Sequence, residues 1–314
     1  MPPKLKPKID LQQVDDLRLP AQQVSAVVVN YNGGDLLIKC VEVLLKQASQ
    51  VIVVDNRSND HSMEQLRAVH GEAAGLQLVF SDLNRGFASG CNLGLRFAAF
   101  ENVLFINPDC ILGENALYKL VAALDEHAGA GMAGGLLTNP DGSEQGGGRR
   151  AVPTPWRSFV RAFGLNRLGR IWPNLFFDFY LHNQPLPPRP IHVEAISGAL
   201  MLVRRQAILD VGEWDEAYFL HCEDLDWCMR FRQKKWEILF VPDALVVHYQ
   251  GGSSRSRPLW VEWHKHKGML RFYSKFFRHR YPGILMWLVR FGVWLRFALV
   301  ASRYWTLRIW MHLR

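Results

Sequence analysis

The chain has 314 residues, 49% of them apolar, which is enough for one large α/β domain with a buried core and too apolar for a disordered chain. Its net charge of +8 is uneven: from Gly251 to Arg314 thirteen Lys and Arg stand against one acid, Glu262, a charge of +12 that leaves −4 for everything before it. The five cysteines (Cys40, Cys91, Cys110, Cys222, Cys228) show no CxxC or finger-like spacing, which excludes a zinc finger and fits a reduced cytosolic protein.

Residues 1–23 carry positive charge with no apolar stretch behind it and read as a flexible tail, not a secretory signal. Val24 to Asn30 is a continuous β-branched run, the pattern of a parallel strand buried on both faces. Tyr31-Asn32-Gly33-Gly34 turns it into a helix with Asp35 as the expected N-cap and Leu36, Leu37, Cys40, Val41, Leu44 and Leu45 on its apolar stripe. Val51 to Val54 repeats the strand signal and ends at Asp55, a helix follows to about His70, and Leu76 to Phe80 is a third strand. Asn84 to Gly94 opens another helix, and Val103 to Ile106 is a fourth strand ending at Asn107-Pro108-Asp109. This βαβαβαβ order predicts a doubly wound, mostly parallel sheet with helices on both faces and a ligand at the C-terminal strand ends.

Residues 139–194 break the rhythm. Gly146-Gly147-Gly148-Arg149-Arg150, many prolines and an aromatic patch from Trp172 to Tyr180 read as a variable insertion of the kind that carries substrate-specific loops. Residues 195–257 return to regular structure: Ala195 to Val203, a helix at Arg205 to Val211, a helix from Glu223 to about Lys234, and strands near Ile238–Val241 and Leu245–His248. From Pro282 onward the chain is apolar and rich in Trp, but Arg290, Arg296, Arg303 and Arg308 hold apolar runs to about six residues. Residues 258–314 are therefore expected to form helices lying on or dipping into one leaflet of an anionic membrane, with an ordinary amphipathic helix packed on the body as the alternative.

Three carboxylates, Glu223, Asp224 and Asp226, open one helix. The partial positive charge of a helix N-terminus favours ionised acids, so all three are expected to be charged and basic at neutral pH, or else to form a solvated first turn. Asp55 at a strand end suits a nucleotide's ribose or base, or a turn cap. Asp109 suits a hard divalent cation beside a diphosphate, or a plain turn, and His248 is a second ligand or a core histidine. The glycines after Gln250 let backbone approach an anion that Arg255 and Arg257 would neutralise. No phosphate loop, dinucleotide fingerprint or nucleophile elbow is present, which argues against an ATPase, an NAD enzyme and a hydrolase. Nothing in the body reads bases, so no nucleic-acid partner is expected.

Taken jointly, Val27 to Gly33, Val54 to Asp60, Asn84-Arg85-Gly86-Phe87-Ala88, Asn92-Leu93-Gly94, Ile106 to Asp109, Ser197 to Arg204, Phe219 to Asp226 and His248 occur in the order seen in glycosyltransferase family 2. The chain most resembles its rhamnosyltransferase-like branch, over about residues 24 to 254. The resemblance implies the GT-A fold, a nucleotide-diphosphate sugar donor, a divalent Mg²⁺ or Mn²⁺ and inversion at the anomeric carbon. By it, Asp55 reads the base, with Asn30, Asn32, Arg85, Gly86, Asn92, Asn107, Arg255 and Arg257 at the donor. Asp109 is the last acid of the D-x-D element, His248 the late metal or diphosphate ligand, and Asp224 the general base, with Glu223 orienting acceptor hydroxyls. Trp214, Tyr218 and Asp226 are placed on the acceptor side, the first two either as stacking rings or as core residues and Asp226 as a structural acid. Asn107 departs from the pattern by replacing the first D-x-D acid, so one carboxylate from that loop reaches the metal. The implied acceptor is a glycan or a polyprenyl-diphosphate-linked sugar at the cytoplasmic face of the inner membrane, in bacterial cell-surface polysaccharide synthesis. A sugar nucleotidyltransferase would carry a Gly-rich loop with a basic residue after the first strand, which is missing here. A catalytically inactive sugar-binding scaffold is disfavoured by the acids at 55, 109 and 224.

Overall fold

The computed structural model of the chain describes residues 22–172, 174–250 and 257–312. Arg255 and the expected tail up to residue 21 lie outside them. The elements in order are β1 (Gln22–Asn30), α1 (Gly34–Gln47), β2 (Ala48–Asp55), α2 (Ser62–His70), β3 (Leu76–Phe80), α3 (Phe87–Leu95), β4 (Asn102–Ile106), β5 (Cys110–Leu112), α4 (Ala116–Glu126) and β6 (Ala130–Thr138). There follow β7 (Arg149–Arg150), α5 (Pro155–Ala162), β8 (Ile191–His192), β9 (Ala195–Ile196), β10 (Leu200–Arg204), α6 (Arg205–Val211), α7 (Glu223–Gln233), β11 (Glu237–His248), α8 (Pro258–Phe277) and α9 (Gly283–His312).

One mixed sheet runs β3-β2-β1-β4-β10-β6-β11-β5, with β8 added on β11. The expected βαβ units supply the parallel half, β3 to β4, and β6 pairs parallel with β11. Between these halves β10 runs antiparallel to both β4 and β6. The two late strands expected near 238–248 are one strand with a register shift between Val241 and Leu245, where Pro242 has no N–H to give the ladder. Alternation along the strands fills both faces of the sheet. Val27, Val29, Ile52 and Val54 join one buried cluster, Val28, Val51 and Val53 the other. Asp35 sits inside the first turn of α1 rather than capping it. The donors at that end are taken from elsewhere, Gly33 N–H by Asn30 Oδ1 (3.1 Å) and Gly34 N–H by Asp60 Oδ2 (3.1 Å).

The basic, Trp-rich end divides in two. Phe272, Tyr273, Phe276 and Phe277 of α8 are buried in the same cluster as the sheet and α7. Lys275 and Arg271 also pair with Asp215 at 2.7 and 2.8 Å. Burial opposes a charge on Asp215, yet these two cations bring its pKa down to about 2. α9 is different: Met286 and Val293 touch the core, while Trp287, Phe291 and Leu299 are exposed. Its Gly283–Thr306 segment of 24 residues, mean hydropathy 1.8, is long and apolar enough to cross a membrane by length and composition. The interrupting arginines are the basis of the expectation of surface-lying helices. A long helix carries them nonetheless, one of them, Arg296, donating to His266 Nε2 of α8 at 3.0 Å.

Candidate active site

The register of β1 on β2 sets Asn30 beside Asp55. Asn30 is fully buried, and its amide donates to Ser58 Oγ (3.1 Å) and Ser62 Oγ (3.0 Å). Both Asp55 oxygens accept the Ser58 N–H, at 3.2 and 3.3 Å. Asn32 is left-handed, φ 56°, and accepts the Asn59 N–H at 2.8 Å. These side chains hold two loops together as one rigid wall, and Asn30 has no surface to offer a ligand. Beside the wall opens a groove of about 880 Å³, lined by Tyr31, Arg57, Asn59, Asn84, Arg85 and Arg257 among others. No carboxylate among the described residues pairs with Arg57, Arg85 or Arg257, so the groove offers three free guanidiniums to an anionic ligand. Arg85 and Arg257, expected at the donor, line this groove. Arg57 and Tyr31 were not singled out, although both fall inside the family motifs.

Gly86 and Asn92 do other work. Gly86 has φ 92°, and a Cβ there would lie 2.2 Å from the Phe219 carbonyl oxygen, so a side chain would push the β3–α3 loop off the turn that leads to the acids. Asn92 is buried, donating to Trp214 O (3.0 Å) and Glu216 Oε1 (2.9 Å). It supports that same turn and does not line the groove.

β4 ends at the Asn107-Pro108-Asp109 turn, and β5 then pairs Cys110 with His248 at the end of β11. Asp109 Oδ1 thereby lies 3.3 Å from His248 Nε2. Asn107 contributes backbone: its N–H donates to Ala199 O at 3.0 Å and its carbonyl accepts from Cys110 N–H at 3.1 Å. On the far side of the imidazole, Nδ1 is 2.9 Å from Gln145 Oε1. The Gln145 amide is oriented by its own donations to His248 O (2.7 Å) and Asn139 Oδ1 (2.9 Å), so Oε1 faces the ring and Nδ1 carries the hydrogen. With Nδ1 turned to Gln145, Nε2 is the ring nitrogen left facing the Asp109 carboxylate oxygen, and a cation between the two would be held by both. One imidazole and one carboxylate, with room for diphosphate oxygens, fit Mg²⁺ or Mn²⁺. Cys110 shares this cluster, but burial first and Asp109 second push its thiol well up, and its Sγ donates to Ala199 O at 3.5 Å. It is a packed thiol, not a ligand.

The acids open α7 behind a strained turn, with His221 and Cys222 consecutively left-handed at φ 68° and 72°. α8 presses on this turn: a Cβ at Gly268 would lie 2.6 Å from His221 O. Asp224 Oδ2 is ion-paired with the Arg150 guanidinium and accepts the Gly198 N–H at 3.1 Å, while Oδ1 accepts the Leu225 N–H at 2.7 Å. Arg150 comes from β7, whose two residues pair with β9. Alternation sends Arg149 to Glu144 (2.8 Å) and Arg150 to Asp224. Sequence reasoning missed Arg150 and Gln145; the available signal was a pair of arginines closing a run of glycines. The turn Ser197-Gly198-Ala199 ties the site together, since Gly198 holds Asp224 and Ala199 holds Asn107.

Glu223 is buried, and its Oε2 has no hydrogen-bond partner among the described residues. Burial first, then the neighbouring Asp224 charge, push its carboxyl up to about 8. The expectation of three ionised acids fails here because desolvation outweighs the helix dipole. Asp226 is fully buried and saturated by Lys275 Nζ (2.6 Å), Arg230 Nε (2.7 Å) and the Tyr218 hydroxyl (3.1 Å). Tyr218 is buried with it, and Trp214 packs in the core 5.4 Å from Phe105 and 4.2 Å from Trp227, ring to ring. Neither ring offers a face to an acceptor, so the stacking expectation does not hold, and all three residues are structural.

Comparison with known proteins bears on the family and the fold. The family described as glycosyltransferase like family 2 matches residues 20–267. An N-acetylglucosaminyl-diphospho-decaprenol L-rhamnosyltransferase of Mycobacterium tuberculosis is 30% identical over 246 residues, which is 74% of this chain and 78% of the relative. The rhamnosyltransferase WbbL of Escherichia coli K12 is 22% identical over 280 residues, 85% of this chain and 93% of the relative. Among solved structures, GalNAc-T7 with UDP, GalNAc and Mn²⁺ superposes with a TM-score of 0.58 at 17% identity, covering 83% of this chain. The chain spans about half of that structure, 51%, and the likeness shows the shared GT-A fold.

Proposed function

The chain belongs to glycosyltransferase-like family 2, and from that premise we propose that it transfers rhamnose, with inversion, from a nucleotide-diphosphate donor to a sugar carried on polyprenyl diphosphate. Membership sets it among glycosyltransferases and apart from nucleotidyltransferases. The names of the two rhamnosyltransferase relatives support the sugar, and that of the mycobacterial relative supports a lipid-diphosphate acceptor.

In this reading Asp224 takes the proton of an acceptor hydroxyl, a poor nucleophile until a base sits within hydrogen-bond reach. Arg150 and the Gly198 N–H fix the plane of that carboxylate. The new bond forms on one face of the anomeric carbon as the bond to the diphosphate breaks on the other, its electron pair leaving with the nucleotide. Arg57, Arg85 and Arg257 bind the charge that collects there. Asp109 and His248 are the residues that would hold Mg²⁺ or Mn²⁺, and a bound cation would offset the same charge. Glu223, which keeps its proton at neutral pH, donates to an acceptor oxygen instead of competing as a base. The basic end of the chain keeps the site at the cytoplasmic face of the membrane, where polyprenyl-linked acceptors of cell-surface polysaccharide synthesis are reached.

The observation that carries this reading is the Ser197–Ala199 turn, which hydrogen-bonds Asp224 on one side and the Asn107–Asp109 loop on the other. The test is metal-dependent nucleotide release from dTDP-rhamnose against UDP- and GDP-sugars, with a polyprenyl-diphosphate-linked N-acetylglucosamine acceptor. Asp224→Asn should lower turnover by about 10³-fold while donor binding persists. Turnover within tenfold of the parent would remove Asp224 from the role of base, and preference for another donor would remove rhamnose.

A further inference from the structure

α5 keeps an aromatic stripe at the surface. Pro155 and the Thr154 hydroxyl, which accepts the Arg157 N–H at 3.2 Å, start the helix. The side turned to the protein carries fully buried Val160 and Arg157, which pairs with Glu194 at 2.7 Å, while Arg161 at its edge pairs with Asp178 at 2.8 Å. Its other side is aromatic and exposed. Trp156, Phe159 and Phe163 fall on one helical stripe, and the turns that follow add exposed Ile171, Trp172 and Leu175. A contiguous apolar patch of this kind marks a contact surface.

The composition of the patch selects its partner. Residues 155–177 contain four arginines, Arg157, Arg161, Arg167 and Arg170, and no acid. Arg167 is exposed and has no acidic partner among the described residues. Arg157 and Arg161 are already neutralised by Glu194 and Asp178, so the patch presents exposed aromatic rings beside Arg167, a combination that matches the headgroup layer of an anionic bilayer. The patch is also anchored to the membrane-directed end of the chain. Ser158 Oγ accepts from the Tyr273 hydroxyl of α8 at 2.7 Å, and α8 in turn holds α9 through His266 and Arg296.

We propose that α5 and the turns after it form a second membrane contact, inserted into the headgroup layer of an anionic bilayer alongside α9. Because Arg150, just upstream in the same segment, orients Asp224, a seated α5 fixes the height of the base above the lipid surface. This inference goes beyond the proposed transfer reaction and does not depend on which donor or acceptor is used.

The test uses the full chain in nanodiscs containing phosphatidylglycerol, with an environment-sensitive fluorophore at Phe163→Cys or, separately, Trp172→Cys. The five native cysteines are buried, which keeps the labelling selective. A label at exposed Lys46→Cys on α1 serves as the water-facing control. At both patch positions nitroxide-bearing lipids should quench about twofold or more above the Lys46→Cys label, and iodide should quench about half as well or less. A label open to iodide and indifferent to lipid nitroxide overturns the proposal, because the patch then faces water. A label shielded from iodide yet indifferent to lipid nitroxide overturns it too, because a protein surface then covers the patch.

Discussion

The two walls of the site are held by opposite means. On the donor wall, at the ends of β1 and β2, Asn30, Asn32, Asp55 and Ser58 satisfy one another and the backbone around them. On the acid wall, two left-handed residues precede two adjacent carboxyls, and neither Glu223 Oε2 nor Arg150 Nε has a hydrogen-bond partner among the described residues. A surface that only has to bind can be saturated by its own hydrogen bonds. A surface that has to move a proton keeps groups unsatisfied, and the rest of the fold supplies the stability this costs. Here α8 supplies part of it, by clamping the strained turn and neutralising Asp226.

The sharpest way to break this contrast is to cut the support on the acid wall and leave the donor wall intact. Arg150→Met should lower kcat by about 10²-fold with the donor KM unchanged, because Asp224 loses the group that fixes its plane. Arg150→Lys should restore only part of this, since an ammonium lacks the planar fork. A rise in donor KM instead would move Arg150 to the donor wall. Next in size is Gln145→Leu, which frees the His248 tautomer. The metal concentration giving half-maximal activity should rise about tenfold, read by Mn²⁺ titration, while turnover at saturating metal changes little. An unchanged titration would mean that His248 does not hold the ion through Nε2.

The donor wall was far more legible in the sequence than the acid wall, and for physical reasons. The apolar runs of β1, β2, β3 and β4 and their polar ends are local signals, and they located the groove. Arg150 and Gln145 reach the site through a two-residue strand and a loop inside the insertion, pairings between residues 74 and 103 positions apart that no local pattern carries. Burial was the other hidden quantity. Asn92, Trp214, Tyr218 and Asp226 lie in or beside the family motifs, but their side chains are spent in the core, and sequence spacing does not separate a scaffold residue from a contact. Glu223 shows the same limit in energetic form. The helix dipole is readable from position alone, whereas the desolvation that outweighs it depends on α8 and the sheet. Within the tail, Phe272, Tyr273, Phe276 and Phe277 recur at helical spacing, which was a readable mark of a docked helix.

Glu223 turns the contrast into a pH dependence. Its folded-state pKa of about 8 lies above the ordinary 4.5, so between those values the folded chain binds a proton that the unfolded chain has lost. Stability should therefore fall as pH rises through this window, a shift of a few degrees in Tm, on the order of 2–4 °C per kcal/mol for a chain of this size. Glu223→Gln, which is neutral throughout, should flatten the fall when melts near pH 5 and near pH 9 are compared. Parallel curves for the two proteins would mean that Glu223 is ionised in the fold.

The smallest effect compares one left-handed residue from each wall. His221 has φ 68° and an exposed side chain that makes no hydrogen bond among the described residues. Relief of the left-handed cost, about 1–2 kcal/mol, should exceed the extra entropy of glycine, about 0.5–1 kcal/mol, so His221→Gly should stabilise by up to about 1 kcal/mol. Asn32 has φ 56°, but asparagine tolerates that region and its Oδ1 accepts the Asn59 N–H at 2.8 Å. Asn32→Gly gains little backbone relief and loses that bond, so it should destabilise by about 0.5–1.5 kcal/mol. Opposite signs in thermal melts of the two variants are what a strained wall facing a satisfied wall requires. A shared sign would mean that α8 already absorbs the cost at His221, and that the acid wall, like the donor wall, rests at its minimum.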